Sequence, residues 1–285
     1  MFHIKHYKEY LYQDEPLAQN YAVDKHVYGA SIVQQDCCIM NNLSFYNTCA
    51  TMESVWKAQS GKLGLKVECL LPNDLVNIAK QECESLYPLL RLYCPEKDND
   101  RKYNVDENVI AQAYCDALGL EELGGIVNLK EWRDLAKMLH NFTDAEICSS
   151  DVVGDLSLVV EHVMDERTNY TQSKLRLGDI NGLLDEFAAL NPKERHHQYK
   201  SRGNKENITP NAKPNLAEWF RKVIYQEKLS PMEHKWLVRI IIKKPDFGIQ
   251  STSILRAVSP YANGLLAADG NLKRMCDKLA GPYFE

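Results

Sequence analysis

The sequence predicts an all-α fold, a bundle of many helices. Apolar residues recur at the helical period in one segment after another, and capping residues, glycines and prolines bound these segments. No stretch of convincing length alternates apolar and polar residues as a half-buried strand does. The 285 residues, of which 45% are hydrophobic and 26% charged, are enough to bury a substantial core. No apolar run approaches the ~18 residues of a membrane span, so no membrane segment is expected.

Residues 1–40 differ in pattern from the remainder of the chain. They are rich in tyrosine and polar residues and show no sustained period, so we interpret them as an N-terminal extension without an assigned function. Residues 41–285 are predicted to form one helical domain.

The first half of this domain shows helical periods from about Leu43 onward. Residues 105–120 predict a helix that Asp106 caps at its start and that ends near Gly119. Further helices are predicted at 129–142, 155–165 and 177–187, the last with Asp179 as its N-cap. The predicted inward stripe of the 105–120 helix consists of Val109, Ile110, Ala113, Tyr114, Ala117 and Leu118.

Residues 191–215 interrupt the helical pattern. The segment is polar, lacks an apolar period and contains three prolines, which predicts a loop. Its cations Lys200, Arg202 and Lys205 are candidate DNA-binding residues that would act as a flexible phosphate clamp. The alternative interpretation is a solvated linker that is basic by chance.

Two long helices and two short ones are predicted after this loop. The first covers residues 216–229. The second begins at Pro231 with Ser230 as N-cap and ends before Pro245, because proline cannot continue a helix. The short helices lie near 252–258 and 272–279.

The helix after Pro231 carries a candidate DNA-binding stripe. Lys235, Arg239 and Lys243 follow one another at intervals of four residues, which places them on one helix face, and Lys244 extends the set. A rigid basic stripe beside an apolar anchor is suited to gripping consecutive phosphates. The alternative is a solvated face that Glu233 balances.

The net charge of −5 is unevenly distributed along the chain. Residues 191–285 contain 17 Lys and Arg against 9 Asp and Glu, a balance of +8, so residues 1–190 carry −13. A polyanion would therefore meet an attractive region within an otherwise repulsive molecule.

The sequence lacks the common catalytic and metal-binding motifs. The sequence contains no phosphate-binding loop of the G-x-x-x-x-G-K-[ST] type, no G-x-S-x-G and no H-E-x-x-H, and no catalytic or metal-ligating residue is assigned. The nine cysteines form no C-x-x-C pair and are expected to be reduced. Residues 267–270 read A-A-D-G, where a lysyl-nucleotide enzyme has K-x-D-G, and alanine cannot attack phosphorus. We expect this segment to be a turn between helices.

Three segments resemble the DNA-binding domain of eukaryotic ATP-dependent DNA ligases, especially of the DNA ligase IV kind. Residues 233–243 read E-H-K-W-L-V-R-I-I-I-K, which closely resembles the family's E-x-K-W-L-x-R-x-I-I-K helix. Residues 85–92, S-L-Y-P-L-L-R-L, resemble S-F-Y-P-x-x-R-L. Residues 178–185, G-D-I-N-G-L-L-D, are similar to x-x-V-N-D-L-L-D. The three occur in the family's order, and the resemblance extends roughly over residues 45–280.

The resemblance implies a helical domain on the minor-groove side of a nicked duplex. It further implies a nuclear protein of double-strand break repair by non-homologous end joining, with ATP and Mg²⁺ bound by a separate adenylation domain. No cofactor is therefore expected in this chain, and the chain is not expected to ligate by itself. The implied partners are nicked or broken duplex DNA and an Artemis-type nuclease at the first helices. By motif position, Lys235, Arg239 and Lys243 would be the basic positions of the DNA-binding helix.

One segment departs from the family pattern. After I-I-K the family reads D-L-K-x-G, whereas residues 244–248 read K-P-D-F-G, so the acidic and basic positions have exchanged sign. Asp246 would repel a phosphate where the family has a lysine, and Lys244 is the compensating charge. This exchange leaves open a second hypothesis, in which the domain is a non-catalytic protein-interaction module that docks a repair nuclease or scaffold.

Overall fold

The predicted all-α class is confirmed. A computed structural model of the chain describes residues 38–58, 62–120, 155–190 and 216–280. These residues form α-helices, two 3₁₀ turns and one isolated β-bridge between Ser44 and Arg176. In chain order the helices are α1 (Phe45–Lys57), α2 (Leu63–Leu70), α3 (Asn73–Gln81), α4 (Tyr87–Tyr93), α5 (Glu107–Leu118), α6 (Leu156–Arg167), α7 (Leu177–Ala189), α8 (Leu216–Arg221), α9 (Pro231–Ile241), α10 (Ser251–Val258), α11 (Ala262–Asp269) and α12 (Leu272–Leu279).

Several predictions fall on other residues. The helix at 129–142, the loop at 191–215 and nearly all of the 1–40 extension lie outside the described residues. The compact unit to which the helices belong begins at Ile39.

Local capping chemistry sets several helix ends as predicted. Asp106 accepts a hydrogen bond from the amide of Val109 at 2.9 Å, and Gly119 ends α5 in the left-handed conformation. Ser230 caps α9, and Pro231 occupies its first turn. The A-A-D-G segment is indeed a turn: α11 ends at Asp269, and Gly270 has a φ of 63°.

Four local features differ from the sequence predictions. Helix α7 begins at Leu177, so Asp179 lies in its first turn and accepts from the amide of Arg176 at 2.8 Å instead of being the N-cap. Val109 lies outside the buried stripe and is exposed. The helix predicted at 216–229 is α8 followed by a π-helical turn, Lys222–Gln226. Helix α11 was not predicted, because it buries only Ala262 and so lacks an apolar stripe.

Helix α9 is the centre of the bundle. It packs most extensively against α6 and also against α1, while α5 pairs with α8 and α2 packs on both α1 and α10. Every residue from Glu233 to Ile241 is buried, so α9 has no solvent face over that span. Burying its large apolar side chains contributes about 1.5–3 kcal/mol each to the free energy of folding. These side chains are Trp236, Leu237, Val238, Ile240 and Ile241.

A buried histidine joins α9 to α5. His234 is fully buried, and its Nδ1 shares a hydrogen bond of 2.9 Å with the hydroxyl of Tyr114. Its Nε2 is buried too, and no described residue is a hydrogen-bond partner for it. Burial lowers the pKa of His234 to about 3, so the ring is neutral in the folded protein near pH 7.

This histidine predicts a pH-dependent loss of stability. Unfolded histidine titrates near ~6.5, so below that pH the unfolded chain binds a proton that the folded chain does not bind. The free energy of unfolding should therefore fall as the pH drops, by about 2 kcal/mol between pH 7.5 and pH 5. His234→Gln should remove this part of the loss in urea denaturation series at each pH. The exposed His162 is the control: His162→Gln should keep it, and equal curves for wild type and His234→Gln would contradict the account.

Candidate nucleic-acid interface

The first cation of the predicted stripe lies inside the protein. Lys235 is 1% exposed, and its ammonium is 2.8 Å from a carboxylate oxygen of Glu53 on α1 and 3.1 Å from Glu161 on α6. It also lies 4.1 Å from the ring centroid of Trp56. A cation held by two carboxylates and a ring is unavailable to a phosphate outside.

The second cation is enclosed in the same way. Arg239 is 3% exposed; it donates to Asp155 at 2.6 Å and to the hydroxyl of Ser157 at 2.9 Å. Its guanidinium lies over two indole rings, 4.7 Å from the centroid of Trp56 and 5.0 Å from that of Trp236. The expectation of an outward stripe is therefore wrong for Lys235 and Arg239: both cations neutralise buried or partly buried carboxylates of neighbouring helices.

The third cation is not on the helix. Helix α9 ends at Ile241, and Lys243 adopts a φ of 58° in the turn that follows. The amides of Lys243 and Lys244 donate to the carbonyls of Ile240 and Arg239, at 3.1 and 2.9 Å, which closes the helix end. The Nζ of Lys243 is half-buried and donates to the carbonyl of Asp98 at 2.7 Å.

The helix that resembles ligases is thus a packing motif in this chain. Glu233 is fully buried; it accepts from the amide and hydroxyl of Ser230, which caps the helix, and from the amide and hydroxyl of Ser173. Trp236 donates to Glu53 at 3.1 Å. Each polar residue type in the motif has an internal partner, so the motif fixes the position of α9.

Burial and the neighbouring cations shift the pKa values of the three carboxylates in opposite directions. Burial alone would raise the pKa of Glu53, but attraction to Lys235 and the hydrogen bond from it outweigh burial, and the net shift is downward. Burial opposes ionisation of Asp155 too, yet attraction to Arg239 and the hydrogen bonds from Ser157 lower its pKa. For Glu161, burial dominates over the attraction of Lys235, and its pKa is raised.

Lys244 is the one residue of the predicted set that the structure places at the surface. Its side chain is 64% exposed, and its ammonium lies 3.5 Å from Glu107. Such an exposed pair is weak, so the lysine can exchange its partner for a phosphate. Lys200, Arg202 and Lys205 lie outside the described residues, and their role stays a prediction.

A second set of cations, which the sequence did not point to, lies on two packed helices. We call the surface that they form the α2–α10 surface and define it by these cations, Lys62, Lys66 and Arg256, together with Gly248. Helices α2 and α10 pack against each other. Lys62 and Arg256 are exposed, and neither makes an ion pair with the part of the chain that the structure describes.

Lys66 has the most informative environment of these residues. It is only 8% exposed, yet no carboxylate or carbonyl of the described residues accepts a hydrogen bond from it. Its Nζ lies 3.7 Å from the position that a Cβ on Gly248 would take, two residues before the N-cap of α10. Gly248 has a φ of 67°, which suits glycine, and its missing side chain leaves room beside the ammonium. The buried stem fixes the direction of a charge that has no partner among the described residues.

Carboxylates limit the positive charge near this surface. Glu96 accepts a short hydrogen bond from the hydroxyl of Ser251 in the first turn of α10. Asp246 is exposed in the same turn as Gly248, with a φ of 47°. The exchange of sign noted in the sequence therefore puts an anion in the same turn as Gly248. Sequence spacing could not reveal that this turn lies next to Lys66, since Lys66 and Gly248 are far apart in the chain.

Most of the chain matches a known protein family. The family described as "DNA ligase N terminus" matches residues 44–259, from the N-cap of α1 to the end of α10. The chain belongs to this family of DNA ligase N-terminal domains. The ligase domain therefore includes both the buried motif of α9 and the α2–α10 surface.

Curated relatives of this ligase domain carry the name DNA ligase 4. The protein from Cryptococcus neoformans is 29% identical over 201 residues, which are 70% of this chain and 16% of that protein. The human protein is 24% identical over 252 residues, 86% of this chain and 24% of that protein. The protein from Arabidopsis thaliana is 28% identical over 194 residues, 67% and 13% respectively. The chain therefore spans about a quarter or less of the length of these relatives.

The described residues of the ligase domain offer no metal centre. None of their histidine, cysteine and acidic side chains are grouped in threes that suit a metal ion. None of their helices is long and apolar enough to cross a membrane. The seven cysteines among them are free thiols, as the sequence predicts.

The buried cations predict a stability phenotype. Lys235→Met keeps most of the packing volume but leaves Glu53 and Glu161 unpaired, so it should lower the free energy of unfolding by about 3–5 kcal/mol. Lys244→Met, at the exposed pair, should change it by less than about 0.5 kcal/mol. Urea denaturation of both variants measures this difference. A stable Lys235→Met protein with weakened DNA binding would restore the stripe interpretation.

Proposed function

We propose that this ligase domain grips duplex DNA by its phosphates and thereby positions a nick or break for an ATP-dependent ligase. Family membership supports a ligase role, and Lys66 is the observation that supports phosphate binding. Its stem is buried, no described residue is its partner, and a glycine and a helix N-terminus lie beside it, an environment that suits a phosphate oxygen. Lys62, Lys244 and Arg256 add exposed cations on the same or neighbouring elements.

The mode of binding would be largely independent of base sequence. Lysine contacts to phosphates supply affinity and register, but they do not read bases. Affinity would come from the release of counterions and would fall steeply with salt. Glu96 and Asp246 weaken the local field, so the isolated domain should bind weakly. The loop cations Lys200, Arg202 and Lys205 would add to the grip from residues 191–215.

We infer the cellular role from the relatives. Because they are named DNA ligase 4, we place this domain in double-strand break repair by non-homologous end joining in the nucleus. ATP and Mg²⁺ would serve adenylation and would be bound outside the residues 1–285, in which no K-x-D-G occurs. Incubation of the chain with radiolabelled ATP tests this assignment, since a covalent adenylate on it would overturn it.

A docking role is the second candidate. The carboxylates Glu96 and Asp246 next to the α2–α10 surface favour a protein partner over a strong DNA grip. An Artemis-type nuclease at the first helices is the partner that we propose. Capture of the recombinant nuclease by this chain, together with no DNA shift at low salt, would support docking and remove the DNA grip.

The DNA grip is tested by salt dependence. At low ionic strength the chain should shift a nicked duplex, and log K should fall linearly with log salt. Lys62→Gln and Lys66→Met should each weaken binding and each reduce the magnitude of the slope by about 1. Fluorescence anisotropy over a salt series measures both quantities.

Lys80 provides the matched control for these variants. It is exposed on α3 and makes no ion pair with the described residues, and α3, unlike α2, is not a packing partner of α10. Lys80→Gln should leave affinity and slope unchanged. Equal losses at Lys80 and Lys66 would indicate nonspecific attraction, and no binding by the wild type at low salt would overturn the proposal.

A further inference from the structure

Two leucines on α2 are exposed next to the α2–α10 surface. Leu63 is 52% exposed and Leu65 is 48% exposed, and they are the only large exposed aliphatic side chains besides Val109 among the described residues. Between them lies Gly64, where an added Cβ would meet no atom within 4 Å. The start of α2 is therefore open to solvent and unobstructed, although it is apolar.

Helix geometry separates the roles of the two leucines. Residues three apart in a helix share a face, so Leu63 lies on the same face as Lys66. Residues two apart point to nearly opposite sides, so Leu65 faces away from Leu63. Leu63 is thus the exposed apolar group on the helix face of Lys66, whereas Leu65 is similarly exposed on another face.

A duplex presents both chemistries that this pair of residues fits. Its phosphates would meet Lys66 and Lys62, and the carbon edges of the neighbouring deoxyriboses line the minor groove next to those phosphates. Proteins that bind in the minor groove commonly place apolar side chains against it. The cations of the α2–α10 surface attract the phosphates of a polyanion, and Leu63 can contact the carbon atoms of its sugars.

We propose that Leu63 packs against the deoxyribose edge of a DNA duplex whose phosphate is held by Lys66. This inference rests on the proposed DNA grip and assigns to it an apolar contact. The contact adds affinity without adding a counterion to release, because leucine carries no charge. Leu63 and Lys66 would therefore act on different observables.

The test compares Leu63→Ala with Leu65→Ala in the full chain, with a nicked duplex as the probe. Losing about half of a leucine's burial should weaken binding by about three- to tenfold in Leu63→Ala. The salt slope should stay that of the wild type. Leu65→Ala should bind as the wild type does. Fluorescence anisotropy over a salt series gives affinity and slope together, and thermal denaturation of both variants verifies that they are equally folded.

The outcomes separate the two proposals. No binding by the wild type overturns the DNA grip itself. Binding by the wild type with equal affinity of Leu63→Ala and Leu65→Ala overturns only the role of Leu63. A loss in Leu63→Ala that comes with a smaller slope also overturns it, because the variant would then have displaced a phosphate contact. A loss at constant slope, confined to Leu63, supports it.

Discussion

The salt bridges that α9 makes inside the bundle are the constraint on which the other features depend. Lys235 reaches Glu53 and Glu161, and Arg239 reaches Asp155, so that one helix is tied to α1 and to the start of α6. Removing these charges from water costs several kcal/mol for each ion, and only close partners offset that cost. Cation–π contacts also offset this cost, because the guanidinium of Arg239 lies over the rings of Trp56 and Trp236.

This constraint reaches the surface through one aromatic contact. Phe247 is buried and stacks on Trp236, with ring centroids 5.5 Å apart and planes inclined by 22°. The ring of Tyr93 makes a T-shaped contact with Phe247, with centroids 6.1 Å apart. Since Phe247 precedes Gly248 in the chain, the core fixes where the open backbone next to Lys66 lies. The buried charges of α9 therefore position the proposed phosphate site without contacting DNA.

The sequence predicted most of the fold and little of the interface. Periodicity and capping residues located α5, α6 and α9, because local sequence sets where a helix begins and ends. For α9, the spacing correctly predicted that Lys235 and Arg239 share a helix face. The prediction that this face is exposed was wrong, because helices from distant segments supply the carboxylates that cover it. The resemblance identified the correct family, but its most specific motif, on α9, packs in the core and was expected to contact DNA.

Spacing along the chain also concealed the candidate site. Lys66 looked like one more lysine in a glycine-containing segment, and nothing in the sequence placed it beside Gly248. Its significance is a property of tertiary structure: the stem is buried, and no described residue accepts a hydrogen bond from the ammonium.

A double-mutant cycle on Arg239 and Asp155 tests the central claim most directly. The free energy of unfolding would be measured for the wild type, Arg239→Met, Asp155→Asn and the double variant. If the pair holds α9 within the bundle, the coupling energy should be about 2 kcal/mol or more, and the double variant should be more stable than the sum of the single losses implies. A coupling energy near zero would mean that the two side chains are exchangeable surface charges and would contradict the account.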